Sequence, residues 1–118
     1  MMLVAVMALF IIAAIFGLII LTAVLKNQPT PKLMVLMHGT FAFIALLMMI
    51  AYTAAGHTAT LLITSLVLLV IAALGGFTLL TFDMKDKSIP KTLALLHPFV
   101  AITGLVLLIV YIFLYILQ

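Results

Sequence analysis

Apolar residues run through almost the whole chain in four long stretches, which three short polar segments separate. Each stretch is long enough to cross a hydrocarbon core of about 30 Å as a helix. The pattern therefore predicts four transmembrane helices, at Met2–Leu25, Leu33–Tyr52, Leu61–Phe82 and Thr92–Leu117.

The composition agrees with a membrane protein and excludes several classes of function. Of 118 residues, 69% are hydrophobic and 6% charged, so polar groups are too few to cover a water-soluble surface. Four spans occupy nearly the whole length, which predicts a single transmembrane domain over 1–118. The absence of cysteine excludes disulfides, iron–sulfur clusters and covalent c-type haem attachment. A net charge of +3 is too small for a nucleic-acid-binding surface.

The lysines predict the orientation of the chain in the membrane. All five lie in the first and third connectors, which face the same side because the spans alternate in direction. Since basic connectors stay inside the cell, this side should be cytoplasmic, with both termini and the loop residue His57 outside. We expect an integral protein of a bacterial inner membrane. Thr30 and Ser88 precede prolines at the starts of the second and fourth spans, where hydroxyl groups would cap the helices.

The two halves of the sequence resemble each other. Residues 1–59 align without a gap to residues 60–118 with 17 identical positions. The pairs least explained by the apolar composition are Gly17/Gly76, Thr22/Thr81, Lys26/Lys85, Pro31/Pro90, Lys32/Lys91, His38/His97 and Tyr52/Tyr111. The sequence therefore predicts an all-α, polytopic four-helix bundle built from two tandem two-helix repeats. Their pseudo-two-fold axis should run along the membrane normal, with the second and fourth spans facing each other across it.

The duplicated histidines are the main candidates for chemistry. His38 follows Lys32 by six residues, and His97 follows Lys91 by the same number, which places both about 9 Å along their helices from the lysine side. An ionisable residue at this depth is a candidate functional residue and should face the bundle interior. The repeat makes each histidine the expected partner of the other.

The neighbours of this pair suggest what could lie between the rings. Residues four and seven positions after each histidine are small, which leaves room for a flat group or for close backbone contact. Two neutral imidazoles beside a narrow apolar space suit a haem b with two axial histidine ligands, whose propionates the lysines would meet. The predicted metal ligands are His38 and His97, and the predicted cofactor-binding residues also include Gly39, Ala42, Ala45, Ala101, Gly104, Lys32 and Lys91. The remaining ring nitrogen of each ligand needs an acceptor, either a backbone carbonyl or a hydroxyl such as Thr40 or Thr103.

This arrangement resembles the small membrane-bound b-type cytochromes, including proteins similar to cytochrome b561, whose four-helix bundles hold haem between histidines on separate helices. At the level of residues the likeness rests on His38 and His97. It implies an electron carrier, with a quinone, superoxide or a redox partner protein exchanging one electron at a time. Proteins similar to cytochrome b561 carry two haems between two histidine pairs, whereas this sequence offers one pair and His57.

Several alternatives to a cytochrome follow from the same residues. The histidines could pack across the bundle in a small accessory subunit of a larger membrane complex, or form another metal or proton site. Haem handling and transport are further alternatives, although the spans lack the acidic residues that proton-coupled carriers use. The uniformly apolar outward faces would also allow a homodimer.

Overall fold

The computed structural model describes residues 1–117 as four long α-helices. They are α1 (Met2–Leu25), α2 (Lys32–Ala54), α3 (Thr60–Met84) and α4 (Lys91–Tyr115). The predicted all-α class and the four helices are confirmed, and each helix is long and apolar enough to cross a membrane. The helices begin at or up to one residue before the predicted spans, and α4 ends two residues before the predicted Leu117.

The ends of α1 and α3 show why the chain turns at the lysine-rich connectors. Asn27 and Asp86 adopt left-handed backbone conformations, with φ of 54° and 52°, which short polar side chains tolerate better than most. The amide three residues beyond each helix then donates to a carbonyl of its last turn, Gln28 to Ala23 and Lys87 to Phe82. The predicted hydroxyl caps of α2 and α4 are wrong. Pro31 and Pro90 occupy the cap positions, and no side chain caps either helix.

The helices form two hairpins that pack into a bundle. Helix α1 lies along α2, and α3 lies along α4. The hairpins meet mainly through α1 and α4 and less closely through α2 and α3. Within residues 1–117, no Cα atom of α2 comes within 8 Å of one in α4. Helices α2 and α4 therefore lie diagonally opposite each other in the bundle. This agrees with the prediction that they face each other across its axis.

The outer surface of the bundle is apolar. Large side chains point away from the protein on every helix, and Leu36, Leu74 and Phe99 are 64%, 63% and 71% exposed. A surface of this kind in water would be strongly unfavourable, whereas lipid chains solvate it well. The exterior is thus suited to a lipid environment.

The interior differs between the two ends of the bundle. We call the half that carries the lysine connectors the lysine half, and the opposite half the remote half. The largest fully buried side chains lie in the remote half: Leu3, Val6, Met49, Leu62, Leu108 and Ile112. From the middle of the bundle to the lysine end, the buried residues are small: Ala13, Ala23, Thr30, Ala72 and Ala94. The closely packed core therefore sits away from the lysines.

Candidate functional site: a histidine pair inside the bundle

The bundle brings His38 and His97 together. Their ring centroids lie 6.0 Å apart, and the ring planes are nearly perpendicular, at 85°. Both side chains are half-buried. Because their helices are diagonal, the two imidazoles meet by reaching into the space that all four helices surround.

Each imidazole is held by a backbone carbonyl of the neighbouring helix. The Nδ1 atom of His38 lies 2.8 Å from the carbonyl oxygen of Ala13, and Nδ1 of His97 lies 2.8 Å from that of Ala72. A carbonyl oxygen can only accept a hydrogen bond, so Nδ1 must carry the proton and donate it in both residues. In a neutral ring this leaves Nε2 with a free lone pair. Both histidines are therefore in the tautomer that can bind a metal through Nε2.

The sequence left open whether a backbone carbonyl or a hydroxyl group accepts the hydrogen bond from each imidazole. Both acceptors are backbone carbonyls, and they lie on α1 and α3. The hydroxyl of Thr103 instead donates to the Phe99 carbonyl in its own helix, and Thr40 is exposed. Metal-binding histidines commonly donate their second nitrogen to such an acceptor, which orients the ring and raises the basicity of the ligand nitrogen.

Two glycines give the imidazole rings the space they occupy. A Cβ atom at Gly17 would lie 3.1 Å from Cε1 and Nδ1 of His38. A Cβ atom at Gly76 would lie 3.1 Å from Cε1 of His97. Both distances are shorter than an ordinary van der Waals contact, so the rings pack against bare backbone. The sequence marks these glycines only by the repeated Ala-Ala-x-x-Gly pattern, which by itself indicates close helix packing.

The other small residues predicted at the site have different surroundings. Ala42 and Ala101 are half-buried, whereas Ala45 is fully buried in the hydrophobic core. Gly104 is also buried, and a Cβ atom there would lie 2.9 Å from Cγ of Leu69, so it serves close contact between α3 and α4. Gly39 is exposed, with nothing within 4 Å of its Cβ direction, and therefore lies outside the histidine cluster.

The two lysines predicted to bind the cofactor, Lys32 and Lys91, also differ in their contacts. Lys32 forms an ion pair of 2.8 Å with Asp83, and Thr30 donates to the other oxygen of the same carboxylate. This polar contact joins the first connector to the end of α3. Lys91 is exposed at the start of α4.

A polar cavity opens between the two lysine-rich connectors. Its volume is about 350 Å³, and its lining includes Asn27, Thr30, Lys32, Asp83 and Lys87. The cavity lies at the end of the bundle where the buried residues are small.

His57 lies apart from the pair, as the sequence predicts for a loop residue. It is exposed, its ring stacks on Tyr52 with centroids 3.9 Å apart, and its Nδ1 donates to the Tyr52 carbonyl. Within residues 1–117 no group of three or more His, Cys, Asp or Glu side chains could hold a metal ion. A metal at the histidine pair would thus need most of its ligands from outside the protein.

The donor set suits a haem iron, whereas the ring spacing does not distinguish a shared metal ion from direct ring contact. An ion in line between two imidazole nitrogens, about 2.0–2.1 Å from each, separates the ring centroids by about 6.4 Å. Edge-to-face rings in direct contact lie about 4.5–7 Å apart, so the observed 6.0 Å agrees with either arrangement. Two neutral nitrogens leave a tetrahedral shell half empty, whereas they complete the coordination of an iron whose other four ligands are porphyrin nitrogens. The chain matches no protein-family model, no curated protein and no solved structure.

Proposed function

We propose that this protein is a membrane-embedded b-type cytochrome that transfers single electrons through one haem b. The observation that carries the proposal is the histidine pair, in which both rings meet inside the bundle with Nδ1 hydrogen-bonded and Nε2 free. The apolar exterior and the four long helices support an integral membrane location. The lysines at one end favour an orientation with this end in the cytoplasm and both termini outside, and the proposed membrane is the inner membrane of a bacterium.

The tandem repeat is part of this proposal. Equivalent hydrogen bonds in the two hairpins, His38 to Ala13 and His97 to Ala72, lie 59 residues apart along the chain, the offset at which the two halves of the sequence align. Duplication of a two-helix unit would place the two ligands at equal depth. It would thereby create a site with one histidine from each half.

The protein's own residues would contribute binding and orientation. A bound haem b would supply the Fe(III)/Fe(II) couple. His38 and His97 would hold the iron, and the Ala13 and Ala72 carbonyls would fix the ring orientation and make both imidazoles stronger donors. Lys32 and Lys91 would be the cations for the haem propionates, and Lys32 would give up its ion pair with Asp83 to serve in this way. Because two histidine ligands would leave no open site on the iron, the proposal favours electron transfer over binding of oxygen or substrate.

A reduced-minus-oxidised visible spectrum of the detergent-purified protein tests the proposal, together with a pyridine haemochrome assay of haem per chain. We expect a sharp low-spin b-type α band at one haem per chain, and loss of this band in His38→Ala and His97→Ala. His57→Ala is the matched control, because this histidine is exposed and should leave the band unchanged.

The alternative is an accessory membrane subunit in which the histidines only pack. It is favoured by the edge-to-face ring contact and by the hydrogen bond that each ring already makes. A colourless protein after expression with ample haem would contradict the cytochrome and favour this alternative. The next step would then be to identify what copurifies with it.

A further inference from the structure

The carbonyl that holds each histidine has a fixed relation to the glycine that the ring packs against. Ala13 precedes Gly17 by four residues, and Ala72 precedes Gly76 by four. In an α-helix the amide of residue i+4 donates to the carbonyl of residue i, so each glycine amide bonds to the carbonyl that also accepts from the imidazole. Each of these carbonyls therefore uses both of its lone pairs.

This geometry explains why a side chain at position 17 or 76 would interfere. The helix amide four residues later already occupies the axial direction of each carbonyl, so a second donor must approach the carbonyl from the side. That approach passes the side-chain position of the residue one turn further on. At Gly17 the position that a Cβ atom would take is 3.1 Å from Nδ1 of His38, the atom that makes the hydrogen bond. A methyl group there would press on the ring at its donor atom.

We infer that Gly17 and Gly76 are positioning residues of the histidine pair, which hold each imidazole with Nδ1–H on a backbone carbonyl and Nε2 free for a ligand. The consequence for iron binding rests on the proposed function. The consequence for the tautomer does not, because it concerns only the protein's own atoms.

The two glycines should act on different edges of their rings. The Gly17 position crowds the Nδ1–Cε1 edge of His38 and leaves Nε2 4.0 Å away. The Gly76 position lies 3.1 Å from Cε1 of His97, 3.6 Å from Nε2 and 3.7 Å from Nδ1. Gly17→Ala should therefore disturb the hydrogen bond of His38, whereas Gly76→Ala should press on Cε1 of His97, between its two nitrogens, and displace the ring as a whole.

The chain offers two matched controls with the same substitution in a helix. At Gly75 a Cβ atom would lie 3.8 Å from Nδ1 of His97, which is an ordinary contact, and at Gly39 it would meet nothing within 4 Å. Alanine has a higher helix propensity than glycine at all four positions. An effect found at positions 17 and 76 alone is therefore steric.

The first measurement is the histidine side-chain ¹⁵N NMR spectrum of the haem-free protein at alkaline pH. Wild type, Gly75→Ala and Gly39→Ala should show His38 and His97 with the proton on Nδ1. Gly17→Ala should lose this signature for His38 alone, and Gly76→Ala should shift only the resonances of His97. In each variant the other histidine reports whether the bundle is folded.

The second measurement is made on haem-loaded protein. Gly17→Ala should raise the reduction potential, because an imidazole without its Nδ1–H hydrogen bond is a weaker donor and stabilises Fe(III) less. Gly76→Ala should lower haem occupancy, and both control variants should match wild type.

Three possible results would show whether the positioning role or the cytochrome proposal is wrong. Wild-type rings protonated on Nε2 would overturn the inference without any variant. Unchanged ¹⁵N spectra and potentials in both Gly17→Ala and Gly76→Ala would also overturn it. A wild-type protein that binds no haem but shows the expected tautomers and their selective loss would refute the cytochrome and leave the positioning role supported.

Discussion

The imidazole rings of His38 and His97 lie 6.0 Å apart although they belong to helices at opposite corners of the bundle. Contact between diagonal helices therefore depends on side chains that reach the central axis. The buried residues around this depth and towards the lysine end are small, whereas the large buried side chains lie in the remote half. Any group that binds both rings would join the two hairpins at a level where the buried side chains are small.

Haem should accordingly stabilise the bundle. A ligand that binds only the folded state adds about 2.7 kcal/mol at a hundredfold excess over its Kd. We expect the Tm of the detergent-solubilised apoprotein to rise when haem is added, and His97→Ala to abolish the rise. His57→Ala should keep it. An equal rise in wild type and His97→Ala would mean that haem binds elsewhere.

Gly104→Ala should destabilise the contact between α3 and α4. The added methyl would lie 2.9 Å from Cγ of Leu69 and 3.3 Å from Cβ of Leu68. Overpacking of this kind typically costs about 1–3 kcal/mol. The Ser65 hydroxyl donates to the Gly104 carbonyl at 2.7 Å, so separation of α3 from α4 would also lengthen this hydrogen bond. Unfolding in mixed detergent micelles measures the change.

Gly39→Ala is the control for this substitution, because it adds the same methyl to an exposed helix position. There it should be neutral or stabilising by up to about 1 kcal/mol, the difference in helix propensity. Leu69→Ala is itself destabilising because Leu69 is buried. In that background Gly104→Ala should cost less than in the wild type, since the atom that the new methyl meets is gone. Equal stability of the two glycine variants would contradict the close packing at Gly104.

Asp83→Asn should weaken the junction between the first connector and α3. It removes the charge that pairs with Lys32 at 2.8 Å. Because the Lys32 side chain is 65% exposed, the expected loss of stability is small, about 0–1 kcal/mol, and should shrink as salt is added. Asp86→Asn is the control, since asparagine also tolerates the left-handed conformation at this position. If Asp86→Asn lost more stability than Asp83→Asn, the predicted contribution of the Lys32–Asp83 ion pair would be contradicted.

The orientation in the membrane can be tested with single cysteines, because the chain contains none of its own. Ser88→Cys lies in a lysine-rich connector and Thr58→Cys in the connector at the opposite end, and both residues are exposed. In intact bacterial cells a membrane-impermeant maleimide should label Thr58→Cys and spare Ser88→Cys. After lysis both should react. The reverse pattern in intact cells would place the lysine half outside.

The architecture of the chain was largely predictable from the sequence, because long apolar runs have few structural options in a lipid environment. The four helices follow from run lengths, and the common end of all five lysines follows from the alternation of antiparallel helices. The equal depth of His38 and His97 follows from their equal distance to the lysines that begin α2 and α4. None of these inferences depends on which side of a helix faces inward.

The tertiary structure decided which side each helix buries. The helices are apolar all round, so no polar stripe fixes their rotation, and only packing places Gly17 beside His38 and leaves Gly39 outside. Packing also places Nδ1 of each histidine within hydrogen-bond distance of the Ala13 or Ala72 carbonyl, and it brings Lys32 into an ion pair with Asp83. These contacts join residues far apart in the chain, and their partners are backbone atoms or single side chains that leave no periodic signal. The sequence thus determined the helices and the depth of the histidines, and the packing of the bundle determined what surrounds them.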